Sequence, residues 1–110
     1  MKCNPTLLYI NISNNALGTA GARAFAPVLE NSPNLQTLLV TNCGLGSLGV
    51  KEFVDRLTYC KYVEVVSFGK NRIENQGGLY FSEIIFQLKC LTAVYLFQNG
   101  MKVEATSAIT

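Results

Sequence analysis

A twelve-residue pattern recurs four times in this chain, and its copies begin at residues 7, 35, 63 and 91, at one constant interval without a gap. In order, the copies are LLYINISNNALG, LQTLLVTNCGLG, VEVVSFGKNRIE and LTAVYLFQNGMK. Each has apolar residues at its first, fourth, sixth and eleventh positions and Asn or Cys at its ninth. A fixed period of this kind indicates stacked supersecondary units, since no single unit can bury its own apolar face.

The spacing inside each unit predicts one strand followed by one helix. Ile10 and Ile12 alternate as the inward-facing residues of a short strand. Phe25 and Leu29 are four residues apart and share one helical face. Strand, Asn or Cys, and helix at this period form the leucine-rich-repeat pattern. The same helical columns contain Phe53 with Leu57, and Phe81 with Ile85.

The fold class that this pattern predicts is an α/β leucine-rich-repeat solenoid shaped like a horseshoe. Its parallel sheet lines the concave face and its helices cover the convex face, because helices are wider than strands. We expect a single domain of about four units, at residues 7–34, 35–62, 63–90 and an incomplete 91–110.

Two polar columns follow the predicted strands. A side-chain amide buried in such a turn can bond backbone groups that would otherwise cost about 1–3 kcal/mol each. We assign this structural role to an Asn/Cys ladder, which consists of Asn15, Cys43, Asn71 and Asn99. The residue before each of these is expected to face solvent at one rim of the solenoid, or to be a solvated loop position without a partner. This rim column consists of Asn14, Asn42, Lys70 and Gln98.

Composition excludes several classes of function. The net charge of +2, from 9 basic and 7 acidic residues, is too small to indicate nucleic-acid or anionic-membrane binding. No apolar run reaches the roughly 18 residues of a membrane-spanning helix. The chain has no histidine and no CxxC pair, so we expect no metal, no cofactor and free thiols. The lack of histidine and of a phosphate-binding loop argues against an enzyme with its own active site.

The ends of the repeat pattern lack the polar outer side that terminal units need. Two interpretations remain open. The chain is an internal fragment of a longer array of repeats, or it is a truncated product whose uncapped repeats associate end to end.

The sequence resembles the Ran GTPase-activating proteins. The resemblance is carried by ISNNALGTAGARAF, TNCGLGSLGVKEF, FGKNRIENQGG and FQNGM in successive units, which together cover nearly the whole chain. It implies a GTPase activator, not an enzyme in its own right, that binds the GTP-bound form of Ran through the rim loops. It also implies a role in nuclear transport, in the cytoplasm or at the cytoplasmic face of the nuclear envelope. The family extends further at both ends, so this chain alone is expected to be a poor activator or inactive.

By motif position, the resemblance implies that Asn42 is the catalytic asparagine, which orients catalytic elements of the partner GTPase. Arg72 is expected to pair with Glu74 or with an acid on the partner; an arginine finger is the less favoured reading. The partner-binding residues that we predict are Asn14, Lys70, Arg72, Glu74, Asn75 and Gln98. The alternative function is a non-catalytic interaction scaffold of ribonuclease-inhibitor type, which would bind a protein through concave-face residues such as Tyr95 and Phe97.

Overall fold

A computed structural model describes residues 7–96 of the protein. Four short strands alternate with three α-helices, in the order that the repeat predicts. Two 3-10 helices, at Ala26–Asn31 and Ile85–Gln87, extend the first and third α-helices. The main elements are β1 (Tyr9–Asn11), α1 (Gly18–Phe25), β2 (Thr37–Leu39), α2 (Gly46–Leu57), β3 (Val65–Ser67), α3 (Glu74–Ile84) and β4 (Ala93–Tyr95).

The strands form one parallel sheet in the order β1-β2-β3-β4. Ile10 pairs with Leu38, Leu38 with Val66, and Val66 with Val94. Equivalent residues of successive units therefore lie side by side in the sheet. Backbone bonds continue this ladder past the strands: the Val40 N–H donates to the Ser67 carbonyl at 2.9 Å. The fold class predicted from the repeat, an α/β leucine-rich-repeat solenoid, is thereby confirmed.

The core lies between the sheet and the helices. The middle residue of each of the first three strands points into it, and Leu38 and Val66 are fully buried. Phenylalanine rings then link the units to one another. Phe53 lies 6.3 Å from Phe25 and 6.1 Å from Phe68, between ring centroids. Phe68 in turn lies 6.2 Å from Phe81, so aromatic packing runs without a break through three units.

The first unit departs from the predicted helix. Phe25 and Leu29 were expected on one α-helical face, but α1 ends at Phe25 and Leu29 belongs to the 3-10 helix. Pro27 explains the change, because proline has no N–H to donate to the carbonyl four residues earlier and its ring crowds that carbonyl. Leu29 is still fully buried, so the tighter helix keeps the apolar stripe on the core.

A glycine column at residues 21, 49 and 77 allows each helix to fold closely over its own first turn. A Cβ added at Gly77 would lie 2.6 Å from Cβ of Ile73, a separation that atoms do not tolerate. The corresponding distance from Gly49 to Cβ of Leu45 is 2.9 Å. Glycine four residues later therefore leaves room for the buried side chains of Leu45 and Ile73, which precede α2 and α3.

Candidate functional site: the rim turns

The rim turns, residues 13–18, 41–46 and 69–74, connect each strand to its helix. Asn71 shows how neighbouring turns are joined. Its buried side-chain amide donates to the Phe68 carbonyl in its own unit at 2.9 Å, and to the Val40 carbonyl in the preceding unit at 2.6 Å. Its Oδ1 accepts the Cys43 N–H at 2.7 Å. One side chain thus satisfies backbone groups of two turns, which makes the rim stiff.

Cys43 has the same place in the second unit and is also fully buried. Its thiol donates to the Ile12 carbonyl at 3.2 Å, the equivalent of the Val40 carbonyl that Asn71 uses. A thiol has no carbonyl oxygen, however. Within residues 7–96 the backbone N–H of Asn15 consequently finds no acceptor.

Asn15 does not have the buried position expected of a ladder residue. Its side chain is exposed, and Nδ2 donates only to carbonyls of its own turn, those of Ile12 at 2.8 Å and Ser13 at 3.2 Å. The physical reason lies in the direction of the ladder. A ladder amide reaches back to the preceding unit, and Asn15 belongs to the first unit that the structure describes. Asn99, the fourth ladder residue, lies outside the described residues.

Asn14, Asn42 and Lys70 of the rim column are all exposed and share a left-handed backbone, with φ of 64°, 56° and 55°. Backbone bonds hold them in line: the Asn14 N–H donates to the Thr41 carbonyl, and the Asn42 N–H to the Gly69 carbonyl, both at 2.8 Å. Nδ2 of Asn42 also donates to Oδ1 of Asn14 at 3.1 Å. Gln98, the fourth member, lies outside the described residues.

A row of hydroxyl groups beside the rim column was not predicted. The Thr41 N–H donates to Oγ of Ser13 at 3.0 Å, and the Thr41 hydroxyl is 2.6 Å from that of Ser67. Ser67 is almost fully buried. Hydroxyl residues at the ends of neighbouring strands were the sequence signal for this row. It fixes the backbone immediately before Asn42.

Arg72 and Glu74 also have left-handed backbones, both with φ of 56°. The equivalent residues of the preceding unit are Gly44 and Gly46, with φ of 64° and 67°. A left-handed conformation costs a residue with a side chain roughly 1–2 kcal/mol, and glycine much less. The aligned glycines were the sequence signal for this geometry. Non-glycine residues held in this way concentrate at functional sites.

The expected ion pair between Arg72 and Glu74 is not formed within residues 7–96. Both side chains are exposed, where an ion pair contributes little to stability. Pairing of Arg72 with an acid on a partner stays a prediction. Asn75 lies half-buried in the first turn of α3 and is already engaged in a contact of its own.

The charged side chains of α2 are paired locally. Arg56 donates from Nε to Glu30 and from Nη1 to Glu52, both at 2.9 Å. Desolvation lowers the pKa of Arg56, but these two bonds outweigh it and the net pKa is raised. The hydrogen bond from Lys51 to Asp55 at 2.8 Å raises the pKa of Lys51. In the described part of the chain, the rim cations Lys70 and Arg72 form no such ion pair.

Residues 7–96 contain neither a grouped metal site nor a membrane-spanning helix. No three His, Cys, Asp or Glu side chains are grouped as a metal site there. No helix in that range is long and apolar enough to cross a bilayer.

Comparisons with known proteins agree with the repeat architecture. A family model described as Leucine Rich repeat matches residues 3–26 and 31–54. The solved structure of leiomodin-1 actin-binding site 2 superimposes with a TM-score of 0.81 at 16% identity, over 96% of this chain and 63% of that one. At that identity the likeness shows the fold alone.

Proteins of similar sequence indicate which type of leucine-rich repeat the chain contains. Ran GTPase-activating protein 1 of Xenopus laevis is 33% identical over 86% of this chain and 18% of its own length. The Ran GTPase-activating protein of Drosophila melanogaster is 28% identical over 94% of this chain and 19% of its own. NACHT, LRR and PYD domains-containing protein 14 of Mus musculus is 29% identical over 82% of this chain and 9% of its own. The chain thus spans less than a fifth of each of these relatives. It is a leucine-rich-repeat polypeptide, with repeats of the type found in Ran GTPase-activating proteins.

Proposed function

We propose that these repeats form part of a GTPase-activating surface that acts on a Ran-type small GTPase in its GTP-bound form. The observation that carries the proposal is the position of Asn42, exposed on a stiff rim in a chain similar to two proteins named as Ran GTPase activators. In this proposal the reaction takes place in the active site of the GTPase. The setting is transport between nucleus and cytoplasm, with the protein in the cytoplasm or at the cytoplasmic face of the nuclear envelope.

The proposed mechanism is positioning. Hydrolysis of GTP requires little covalent help, and catalysis comes mainly from holding the nucleophile and the groups around it in line. Asn42 suits this task because its backbone bonds to Gly69 and its side chain to Asn14. A neutral amide on a fixed backbone can orient a group of the GTPase without adding a charge to its active site.

The rim cations supply attraction in this proposal. Lys70 and Arg72 are exposed and form no ion pair within residues 7–96. Such charges at the edge of an interface mainly raise the association rate and select acidic partners. We assign them to docking of the GTPase, together with Glu74.

Single-turnover hydrolysis of GTP by a Ran-type GTPase tests the proposal. The natural full-length polypeptide should accelerate release of phosphate, and Asn42→Ala should lower that acceleration about 100-fold, the effect of losing one group that acts only in the transition state. Gln36→Ala is the matched control, because Gln36 is an exposed amide at the opposite end of a strand. Circular dichroism confirms that both variants fold. An Asn42→Ala variant as active as the parent would refute the assignment.

An interaction scaffold is the second candidate. Tyr9 and Tyr95 expose 57% and 50% of their surface on the first and last described strands, and aromatic residues of this kind anchor protein interfaces. The similarity to a mouse protein not named as a GTPase activator favours the same reading. If the GTP-loaded GTPase binds without faster hydrolysis, and Tyr95→Ala but not Asn42→Ala abolishes binding, the scaffold is the function.

A further inference from the structure

We propose that Asn14 is a positioning residue for Asn42: it holds the donor end of the Asn42 amide, so that the amide oxygen faces the partner as an acceptor. This inference rests on the proposed function and deepens it. The observation behind it is the bond from Nδ2 of Asn42 to Oδ1 of Asn14 at 3.1 Å. It gives Asn14 a role other than direct contact with the GTPase.

The backbones of the two residues are already fixed. Both are left-handed, with φ of 64° at Asn14 and 56° at Asn42, so their short side chains leave the rim in the same way. Neighbouring strands of a sheet are about 4.8 Å apart, a separation that two asparagine side chains can span. Their N–H groups donate to the Thr41 and Gly69 carbonyls at 2.8 Å.

Thr41 restrains the chain just before Asn42. Its N–H donates to the hydroxyl of Ser13 at 3.0 Å, and its own hydroxyl is 2.6 Å from that of Ser67. With the backbone held on both sides, the freedom left to Asn42 is rotation of its side chain. The bond to Asn14 restrains that rotation.

The two ends of a carboxamide differ: nitrogen donates two hydrogen bonds and oxygen accepts. Nδ2 of Asn42 is committed to Asn14. Within residues 7–96 no hydrogen bond ends on Oδ1 of Asn42, and the residue is exposed. The group offered outward is therefore the oxygen, and it suits an N–H or O–H donor on the GTPase.

The other neighbour in the column cannot replace Asn14. Lys70 follows Asn42 along the rim, but its ammonium group has three donors and no acceptor. Of the two rim-column side chains beside Asn42, only that of Asn14 has an acceptor for the donor end of the amide. Without it the amide can turn over and present nitrogen outward, in the wrong sense for the same partner group.

The test compares Asn14→Gly and Asn14→Asp in the natural full-length polypeptide with a GTP-loaded Ran-type GTPase. Glycine removes the acceptor and adopts φ of 64° without strain, whereas aspartate keeps an acceptor oxygen. Asn14→Gly should lower kcat about fivefold, equivalent to about 1 kcal/mol, with KM within about twofold. Asn14→Asp should restore kcat to within about twofold. Lys70→Gly, the same change one unit along, should raise KM and leave kcat nearly unchanged.

Side-chain amide signals of Asn42 in a ¹⁵N–¹H spectrum give a readout independent of activity. They should shift in Asn14→Gly and stay near the parent position in Asn14→Asp, while circular dichroism confirms that both variants fold. If the parent accelerates hydrolysis and Asn42→Ala abolishes this, but Asn14→Gly keeps the parent kcat, the positioning role alone is refuted. If the parent does not accelerate hydrolysis, the proposed function fails and this inference fails with it.

Discussion

At the scale of single residues, the Asn/Cys ladder shows how one atom decides what a turn can bond. Asn71 offers both a donor and an acceptor, and its Oδ1 takes the N–H groups of Cys43 at 2.7 Å and Leu45 at 3.4 Å. Cys43 offers a donor alone. Cys43 therefore forms fewer hydrogen bonds to the turn of the first unit than Asn71 forms to the turn of the second unit. Both ladder side chains are nevertheless fully buried.

Replacement of the ladder cysteine should stabilise the protein. In Cys43→Asn the new Oδ1 should accept the N–H of Asn15 and raise the free energy of unfolding by about 1 kcal/mol, the net value of one such bond. Urea denaturation followed by circular dichroism measures the change. The reciprocal variant, Asn71→Cys, should lose about 2 kcal/mol, because it leaves buried backbone N–H groups without their acceptor. A decrease for Cys43→Asn would show that the site is too tight for an amide.

Cys60 should make stability depend on pH in the alkaline range. Burial raises the pKa of this thiol from its ordinary 9.0 to about 11. The unfolded chain therefore ionises first, so stability is complete below pH 9 and is lost as pH rises towards 11. The loss should approach about 2 kcal/mol. Denaturation under reducing conditions from pH 8 to 11 measures it. Cys60→Ser should abolish this component, and Ser32, buried in the same column, shows that serine fits.

At the scale of elements, the rim turn before α3 differs from the one before α2. Both turns are left-handed at equivalent positions, but Gly44 and Gly46 of the second unit are replaced by Arg72 and Glu74 in the third. Two side chains thus stand where the backbone favours glycine. Strain that persists on an exposed rim is consistent with selection for what the side chains do.

Removal of one strained side chain should separate stability from function. Arg72→Gly should raise the free energy of unfolding by about 1 kcal/mol and weaken binding of the GTPase. Gly44→Ala is the matched reverse change and should lower stability by about 1 kcal/mol, the cost of a left-handed backbone at a residue with a side chain. Its added methyl group meets nothing within 4 Å, so only the backbone conformation is tested. Thermal denaturation and titration with the GTP-loaded GTPase give the two readouts; equal stability in all three proteins would rule out strain.

At the scale of the whole molecule, each unit is stable only through its neighbours. The rings of Phe25, Phe53, Phe68 and Phe81 follow one another at 6.1–6.3 Å and carry the core across the unit boundaries. On the convex side Arg56 adds a bridge from α2 to Glu30 of the first unit. A substitution at the middle of the aromatic row should consequently destabilise the units on both sides.

Phe53→Ala is therefore expected to lower the free energy of unfolding by about 4 kcal/mol, because it removes a fully buried ring from the middle of the row. Phe86→Ala is the control, since that ring is 85% exposed, and its effect should stay within about 0.5 kcal/mol. Denaturant titrations of both variants, followed by circular dichroism, provide the comparison. Similar losses in the two would mean that the aromatic row does not couple the units.

Much of the fold could be predicted, and less of the site. The period places Ile10, Leu38 and Val66 in register, and the structure confirms the fold class that follows. The prediction that Phe25 and Leu29 share one α-helical face was wrong, because α1 ends before Pro27 and a 3-10 helix follows. The bond between Asn42 and Asn14 could not be predicted, since a periodic pattern shows which residues are neighbours but not which atoms face each other.

The sequence by itself determined the architecture of this protein: a gapless repeat with buried columns leaves a stacked solenoid as the arrangement that covers every apolar face. Only the tertiary structure decided how the rim is presented. The left-handed turns, the hydroxyl row at Thr41 and the direction of the Asn42 amide arise from bonds between residues one repeat apart in the sequence. Such bonds exist only once the units have stacked, because hydrogen bonds depend on distances and angles within a fraction of an ångström.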